Sequence, residues 1–356
     1  MEDFKIHFPA VQHQTYLNTP ASGLLSEPLH DWRREQDKNF LLQGANYGAI
    51  QQMLQEVRTK IAAFFSSGEE AVALVPNFSF GINTVLEGLP KGQKVLLLKG
   101  DYPSVNWPVE TRDFDVCYAE VDETIEENIE VAVAKHRPDV FLFSITQWLS
   151  GITIDLEFLA QLKSAHPNLM LIGDGTQFLG TRDFNFSASP LDVLGASVYK
   201  WLLSGFGNGF FMVKEEVKDR LFPKTIGFNS AEGFDSEATD TRFIKHFEPG
   251  HQDFMNFGTF GKSLELWEDW GKKRLLQQIA DLSTTAKEKF TERGLLSAAV
   301  VNRKQHAPFF NLKGDEKLFK KLQQENIIAS QRGGGIRVGF HFYNSEEDLD
   351  RLLSLL

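Results

Sequence analysis

The sequence predicts an α/β chain, with a large unit built on a mostly parallel sheet and a small α+β unit at its C-terminal end. Three observations predict it. Short runs at 71–75, 95–98, 116–119, 140–145, 169–172, 194–198 and 210–213 are apolar on both faces, as strands are when helices cover both sides of their sheet. Between most of them lie helical patterns, such as 125–136 and 156–165, and strands alternating with helices imply parallel pairing. Late in the chain the rhythm changes to shorter pieces that alternate strand and helix.

Taken in order, residues 26–42 read as a helix, with Ser26 as N-cap, Pro28 in the first turn and Gly44 just past the end. Ile50, Met53, Leu54, Val57, Ile61 and Phe64 recur at helical spacing until Gly68 stops the run. The alternating strands and helices follow. One long helical pattern then runs from about 254 to 293. After it come a strand at 308–312, a helix at 316–324 and strands at 327–330 and 336–342. A last helix at 345–355 has Ser345 as N-cap. The domain change is expected inside the long helix. That gives a large unit over 16–270, and a small unit made of 1–15 and 271–356.

A chain of 356 residues is longer than one core usually serves. Its net charge of −11, with no basic block, argues against nucleic acid as a partner. Phe is unusually common, at 31 residues, as expected of an aromatic core. The single cysteine, Cys117, rules out an intrachain disulfide. No segment reads as a signal peptide or a membrane span, so a cytoplasmic location and no membrane partner are expected. No metal is expected.

Chemistry concentrates at two strand ends. Residues 171–177, Leu-Ile-Gly-Asp-Gly-Thr-Gln, end a buried strand on Asp174. In open α/β sheets ligands bind beyond the carboxyl ends of the strands. An acid there can meet a cationic ring nitrogen, although Asp before Gly also makes plain turns. Residues 197–201, Ser-Val-Tyr-Lys-Trp, place Lys200 at the next strand end in an apolar setting. A desolvated lysine loses its proton more easily and can form a Schiff base. The glycines of 205–209, Gly-Phe-Gly-Asn-Gly, precede a strand and do not have dinucleotide-fingerprint spacing.

In this order of acid, Gln177, Ser-x-Tyr-Lys-Trp and glycine cluster, the chain resembles the class V aminotransferase family of fold type I pyridoxal 5'-phosphate (PLP) enzymes. That family includes cysteine desulfurases, kynureninase and isopenicillin-N epimerase-like proteins. The resemblance covers nearly the whole chain from Tyr16 onward and is strongest over 171–209 and 336–352. It implies that Lys200 binds the cofactor as a Schiff base and serves as catalytic acid/base. Asp174 would pair with the pyridine nitrogen, and Gln177 would bond the phenolic oxygen. Ser197 and Tyr199 match phosphate ligands, with Tyr199 standing where a histidine is frequent. Ser79 and the backbone of Phe78 stand where a Gly-Thr-Thr-like turn opens a helix onto the phosphate. Tyr102, in Asp101-Tyr102-Pro103-Ser104, matches a residue that stacks on the cofactor ring. Gln147 matches a polar side chain near substrate and phenolic oxygen.

Residues 247–251, Phe-Glu-Pro-Gly-His, are similar to a motif whose threonine reaches the phosphate of the neighbouring subunit. His251 departs from it, and a homodimer is implied if the contact holds. Residues 336–344 match the strand whose arginine grips a substrate carboxylate. Arg337 is therefore expected to bind substrate bidentately, with Arg332 as a second contact. The implied partner is a small-molecule amino acid or amine, and the implied reaction is transamination. A lyase or epimerase, or a non-catalytic protein that kept the fold, are the alternatives. The loop before the arginine strand, 326–336, lacks the nucleophilic cysteine that a cysteine desulfurase needs.

Overall fold

The computed structural model describes residues 4–231, 237 and 242–356; residues 1–3 of the expected N-terminal arm lie outside the described residues. The helices are α1 (Glu27–Gln43), α2 (Tyr47–Phe65), α3 (Phe78–Gly88), α4 (Pro103–Glu110), α5 (Ile125–His136) and α6 (Leu156–Ala165). They continue with α7 (Phe254–Asp269), α8 (Lys272–Glu292), α9 (Ala298–Asn302), α10 (Glu316–Gln324) and α11 (Glu346–Leu355). The strands are β1 (Thr15–Tyr16), β2 (Val72–Val75), β3 (Lys94–Leu98), β4 (Asp115–Ala119), β5 (Val140–Ser144) and β6 (Met170–Asp174). After them come β7 (Val193–Ser197), β8 (Gly209–Val213), β9 (Phe309–Lys313), β10 (Ile327–Ile328), β11 (Ser330–Arg332) and β12 (Gly335–Gly339).

The apolar runs pair into one seven-stranded sheet in the order β2-β8-β7-β6-β5-β3-β4. Pairs from β7 through β4 are parallel, and β8 runs antiparallel to both β7 and β2. The chain leaves β3 for β4 on one side and returns to β5 on the other. The strand order therefore reverses at β3 and β5, the kind of switch point where an α/β sheet opens a crevice. Alternate side chains of each strand feed two cores, one on each face. Phe141, Phe143 and Phe210 lie on one face, and Ala73, Leu142 and Phe211 on the other. The many phenylalanines fill these layers: Phe141 stacks on Phe143 at 4.1 Å and Phe78 on Phe211 at 5.6 Å. Gly81 and Gly195 leave room for the Phe211 ring, which any Cβ at either position would strike.

A second sheet, β11-β12-β9, is antiparallel, and β1 pairs in parallel with β10. Helix α1 ends at Gly44 with φ +69, as its pattern predicts, but Ser26 makes no side-chain cap bond. The expected single helix over 254–293 is broken into α7 and α8. Gly271 sits at φ +86, a conformation that favours glycine and interrupts the helix. Trp270, at the break, stacks on His7 at 5.0 Å and packs against Phe4 and Phe342. The expected strand at 327–330 is likewise divided into two short ones, which pair with different partners. Among the described residues no helix is long and apolar enough to cross a membrane.

Candidate active site

Beyond the carboxyl ends of β3, β5, β6 and β7 the chain opens a cavity of about 360 Å³. Eight of the sequence-predicted residues line it: Phe78, Ser79, Tyr102, Asp174, Gln177, Ser197, Tyr199 and Lys200. Asp174 and Lys200 come together because β6 and β7 are parallel neighbours, with Asp174 paired against Gly195.

The local structure around Lys200 holds its backbone and leaves its amine unpaired. The Tyr199 carbonyl accepts the Gly23 N–H at 2.8 Å. Trp201 is buried, donates its indole N–H to Gln177 Oε1 at 2.8 Å, and stacks on His341. Its carbonyl lies 2.9 Å from His341 Nε2. The Lys200 Nζ lies 5.7 Å from the ring centres of both Tyr102 and Tyr199. It makes no hydrogen bond or ion pair among the described residues. Burial first, then the positive charge of Arg337, lowers its proton affinity well below that of an ordinary lysine, with Asp174 pulling the other way.

Asp174 is also buried, and Oδ1 accepts the Thr176 N–H at 2.8 Å. Burial raises its pKa, while the Thr176 hydrogen bonds and Lys200 act against that rise. A second buried carboxylate, Asp101, pushes it further up. Asp101 lies beyond the turn that follows β3, just before α4; it accepts the N–H of Tyr102 at 2.7 Å and that of Ser144 at 2.8 Å. The signal was present in the sequence, in the acid that opens the Asp-Tyr-Pro-Ser segment. Thr176, Asn77, Trp148 and Phe206 also line the cavity without having been singled out.

At the mouth of α3, Asn77 is the N-cap, accepting the Phe80 N–H at 2.9 Å, and Ser79 instead donates to Ser104 Oγ at 2.8 Å. The Phe78 N–H, expected to face a phosphate, donates to Ser197 Oγ at 2.9 Å. The serine hydroxyl proton therefore remains to be given to a ligand. Gln177 is similarly engaged: its Oε1 accepts from Trp201 and its Nε2 donates to the Pro20 carbonyl at 2.8 Å, leaving one amide hydrogen for a ligand. Tyr199 stacks on Phe206 at 4.5 Å, and burial pushes its phenol up to about 12.

Four expected residues do not line the cavity. Gln147 turns its Oε1 into its own turn, accepting from Leu149 N, Ser150 N and Ser150 Oγ at 2.7–3.0 Å. His251 is exposed and stacks on Phe228 at 5.8 Å, with Tyr47 6.0 Å away. Its neighbour Glu248 is fully buried, accepts the Leu74 N–H at 2.8 Å and pairs with Arg58 and Lys245, so that part of the segment anchors β2. Arg332 is exposed on the β11–β12 hairpin. Arg337 is buried in the middle of β12 and donates Nη1–H to the carbonyl of Trp148, a cavity residue, at 2.7 Å. Its Nε is buried with no partner among the described residues. Burial, reinforced by Arg332, lowers its pKa to about 10. Cys117 lies buried in β4 at the sheet edge, with its thiol directed at the Val95 carbonyl.

A buried amine without a partner beside a buried acid fits a ligand that brings an electrophile to the one and a cation to the other. The free Ser197 proton suits an oxyanion near α3. Residues 43–352 match the family model for class V aminotransferases. The chain is 24% identical to an uncharacterized aminotransferase, YcbU, of Bacillus subtilis (strain 168), covering 98% of this chain and 95% of that one. It is 22% identical to isopenicillin N epimerase of Amycolatopsis lactamdurans, again over 98% and 95%. Among solved structures, a C-DES mutant with glycine covalently linked to its PLP cofactor superposes with a TM-score of 0.88. That match covers 99% of this chain and 98% of that one at 19% identity.

Proposed function

Because this chain belongs to the class V aminotransferase family, we propose that it is a PLP-dependent enzyme that transaminates an amino acid or small amine. The observation that supports this most is the meeting of Lys200 and Asp174, both buried and neither in an ion pair among the described residues, in one cavity. The cofactor, when bound, supplies an electrophilic aldehyde and a ring that accepts electrons from the substrate. Lys200, uncharged more readily than a free lysine, would hold the cofactor through its aldehyde and would move protons at the substrate carbon. Asp174 would stabilise positive charge on the ring nitrogen, and Tyr102 would pack against the ring. Ser197, Tyr199 and the start of α3 would hold the phosphate. Transamination needs an amino acceptor, and an oxo acid formed only in the presence of one supports it. An epimerised or cleaved amino acid favours the alternatives, and each has a named relative: isopenicillin N epimerase for the first and a probable cysteine desulfurase for the second.

Arg337 is proposed to grip the substrate carboxylate, within a small unit of residues 1–15 and 271–356 set against a large unit of 16–270. Its unpartnered Nε–H supports this, because a buried donor without a partner costs free energy that a carboxylate would recover. A charge-assisted contact of this kind contributes roughly 1.5–3 kcal/mol, about one to two powers of ten in binding. Arg337→Ala should raise KM for amino acids by that factor, with Arg337→Lys less severe, while amines without a carboxylate change little. Equal losses on both substrate classes would make Arg337 structural.

The active protein is proposed to be a cytoplasmic homodimer, with no nucleic-acid or membrane partner. Ring contacts link Phe40 to Phe254, and His251 to Tyr47 and Phe228, on a surface where Phe40, Leu41, Leu42, Tyr47 and Phe228 are exposed. Apolar groups clustered in this way favour association. Sedimentation should find a dimer, and Leu41→Asp with Leu42→Asp should weaken it. A wild-type monomer that turns over substrate would sink this part of the reading.

A further inference from the structure

The turn that follows β5, at residues 147–151, is held from two sides. From within, Gln147 Oε1 accepts three donors, and its carbonyl accepts the Gly151 N–H at 2.9 Å. From across, the Ala307 N–H donates to the Gly151 carbonyl at 2.9 Å, and the His306 ring, which carries a single N–H when neutral, packs with Nε2 2.9 Å from the Ser150 carbonyl and Nδ1 2.6 Å from the Ala307 carbonyl. Gly151 is at φ +79 and closely faces Phe309 O and the His306 ring, so no other residue fits that corner without strain.

The tip of this clamped turn is Trp148. Its ring meets Tyr102 edge-on at 5.6 Å and lines the cavity, half-buried. Its carbonyl is the acceptor that fixes Arg337 Nη1. A carboxylate taken by the remaining donors of Arg337 would therefore lie next to Trp148, and the side chain of that substrate would meet the indole. Among the described lining residues the only acid is Asp174, which faces Lys200, so nothing else there would pair with a cationic side chain.

We propose that Trp148 is a specificity-determining residue, and that the substrate is an amino acid with an aromatic or large apolar side chain. The inference rests on the reading of Arg337 as the carboxylate site. A rigid indole offers apolar area without ordering cost, and an aromatic partner adds ring–ring attraction. The turn's two clamps hold the backbone that carries that ring, which packs edge-on against Tyr102.

The test uses unreactive acids, so that binding is read apart from turnover. Isothermal titration of the cofactor-loaded protein would compare 3-phenylpropionate, propionate and succinate. Burial of a phenyl ring should make 3-phenylpropionate bind roughly tenfold or more tightly than propionate. Trp148→Ala should reduce that ratio to about twofold or less, and Trp148→Phe should keep most of it. Arg337→Ala should weaken all three acids. Tightest binding of succinate, or Trp148→Ala weakening all three acids by one factor, overturns the proposal and leaves the carboxylate site standing. Failure of any acid to bind, or indifference to Arg337→Ala, sinks the carboxylate reading and this proposal with it.

Discussion

Lys200→Ala is expected to give a folded protein that no longer carries the visible absorption of lysine-bound PLP. Borohydride reduction and peptide mapping should find the pyridoxyl label on Lys200 in the wild type and nowhere in the variant. Turnover should fall by at least the ~10²–10⁴-fold that a positioned acid/base contributes. The amine is buried, has no partner among the described residues, and sits with two aromatic rings at 5.7 Å. Burial and Arg337 both favour its neutral form. This has a consequence for the cofactor-free protein. The folded pKa lies below the unfolded one, so between them the unfolded chain binds the extra proton and stability rises with pH. The penalty is full below the folded pKa and vanishes as pH rises through the unfolded value, roughly 10.4. The melting temperature of the wild type should therefore gain on that of Lys200→Ala as pH rises from neutrality. A label on another lysine, or turnover close to normal, would remove Lys200 from its role.

Asp174→Asn is expected to fold, to hold PLP less firmly and to lose on the order of 10²–10³-fold in turnover, the scale of a lost preorganised electrostatic contact. The side chain keeps the shape that caps the following turn, because an amide oxygen can still accept the Thr176 N–H. What it loses is the negative charge that would keep a proton on the ring nitrogen. In the cofactor-free protein the sign is opposite to that of a salt-bridged acid. Burial and Asp101 raise the folded pKa, so the carboxylate costs stability above that value, and the cost disappears as pH falls below the unfolded one. Asp174→Asn should therefore gain melting temperature relative to wild type as pH rises from the unfolded value, roughly 3.9, to the folded one, and hold that gain above it. Titration of PLP into the stripped variant, together with its turnover, checks both claims. Undiminished turnover would make Asp174 a turn residue only.

Much of the site was legible because its strongest signals are local. A charged residue that interrupts an apolar strand end is costly to bury, so Asp174 and Lys200 stand out with no knowledge of what surrounds them. Asp101 carries the same signal, but the tyrosine beside it drew the functional reading. Gln147 shows the limit of local pattern. A polar residue after a buried strand can face a ligand or cap its own turn, and only the fold of 147–151 shows Oε1 turned inward and the next residue, Trp148, turned to the cavity. Ser79 likewise is expected at the phosphate end of α3, and only the fold shows that its hydroxyl donates to Ser104 while Asn77 caps the helix.

By itself, then, the sequence determined the alternation of strands and helices, the acid and the lysine at two strand ends, and the arginine in an apolar strand. Each follows from periodicity and from the cost of burying charge, which act over a few residues. The tertiary structure decided which of these meet. Adjacent pairing of β6 and β7 brings Asp174 and Lys200 into one cavity. The packing of β12 near the turn after β5 ties Arg337 to Trp148. A left-handed glycine and a well-packed tryptophan broke the helix that periodicity had drawn as continuous. These outcomes depend on contacts between residues far apart in the chain, whose free energies no local pattern contains.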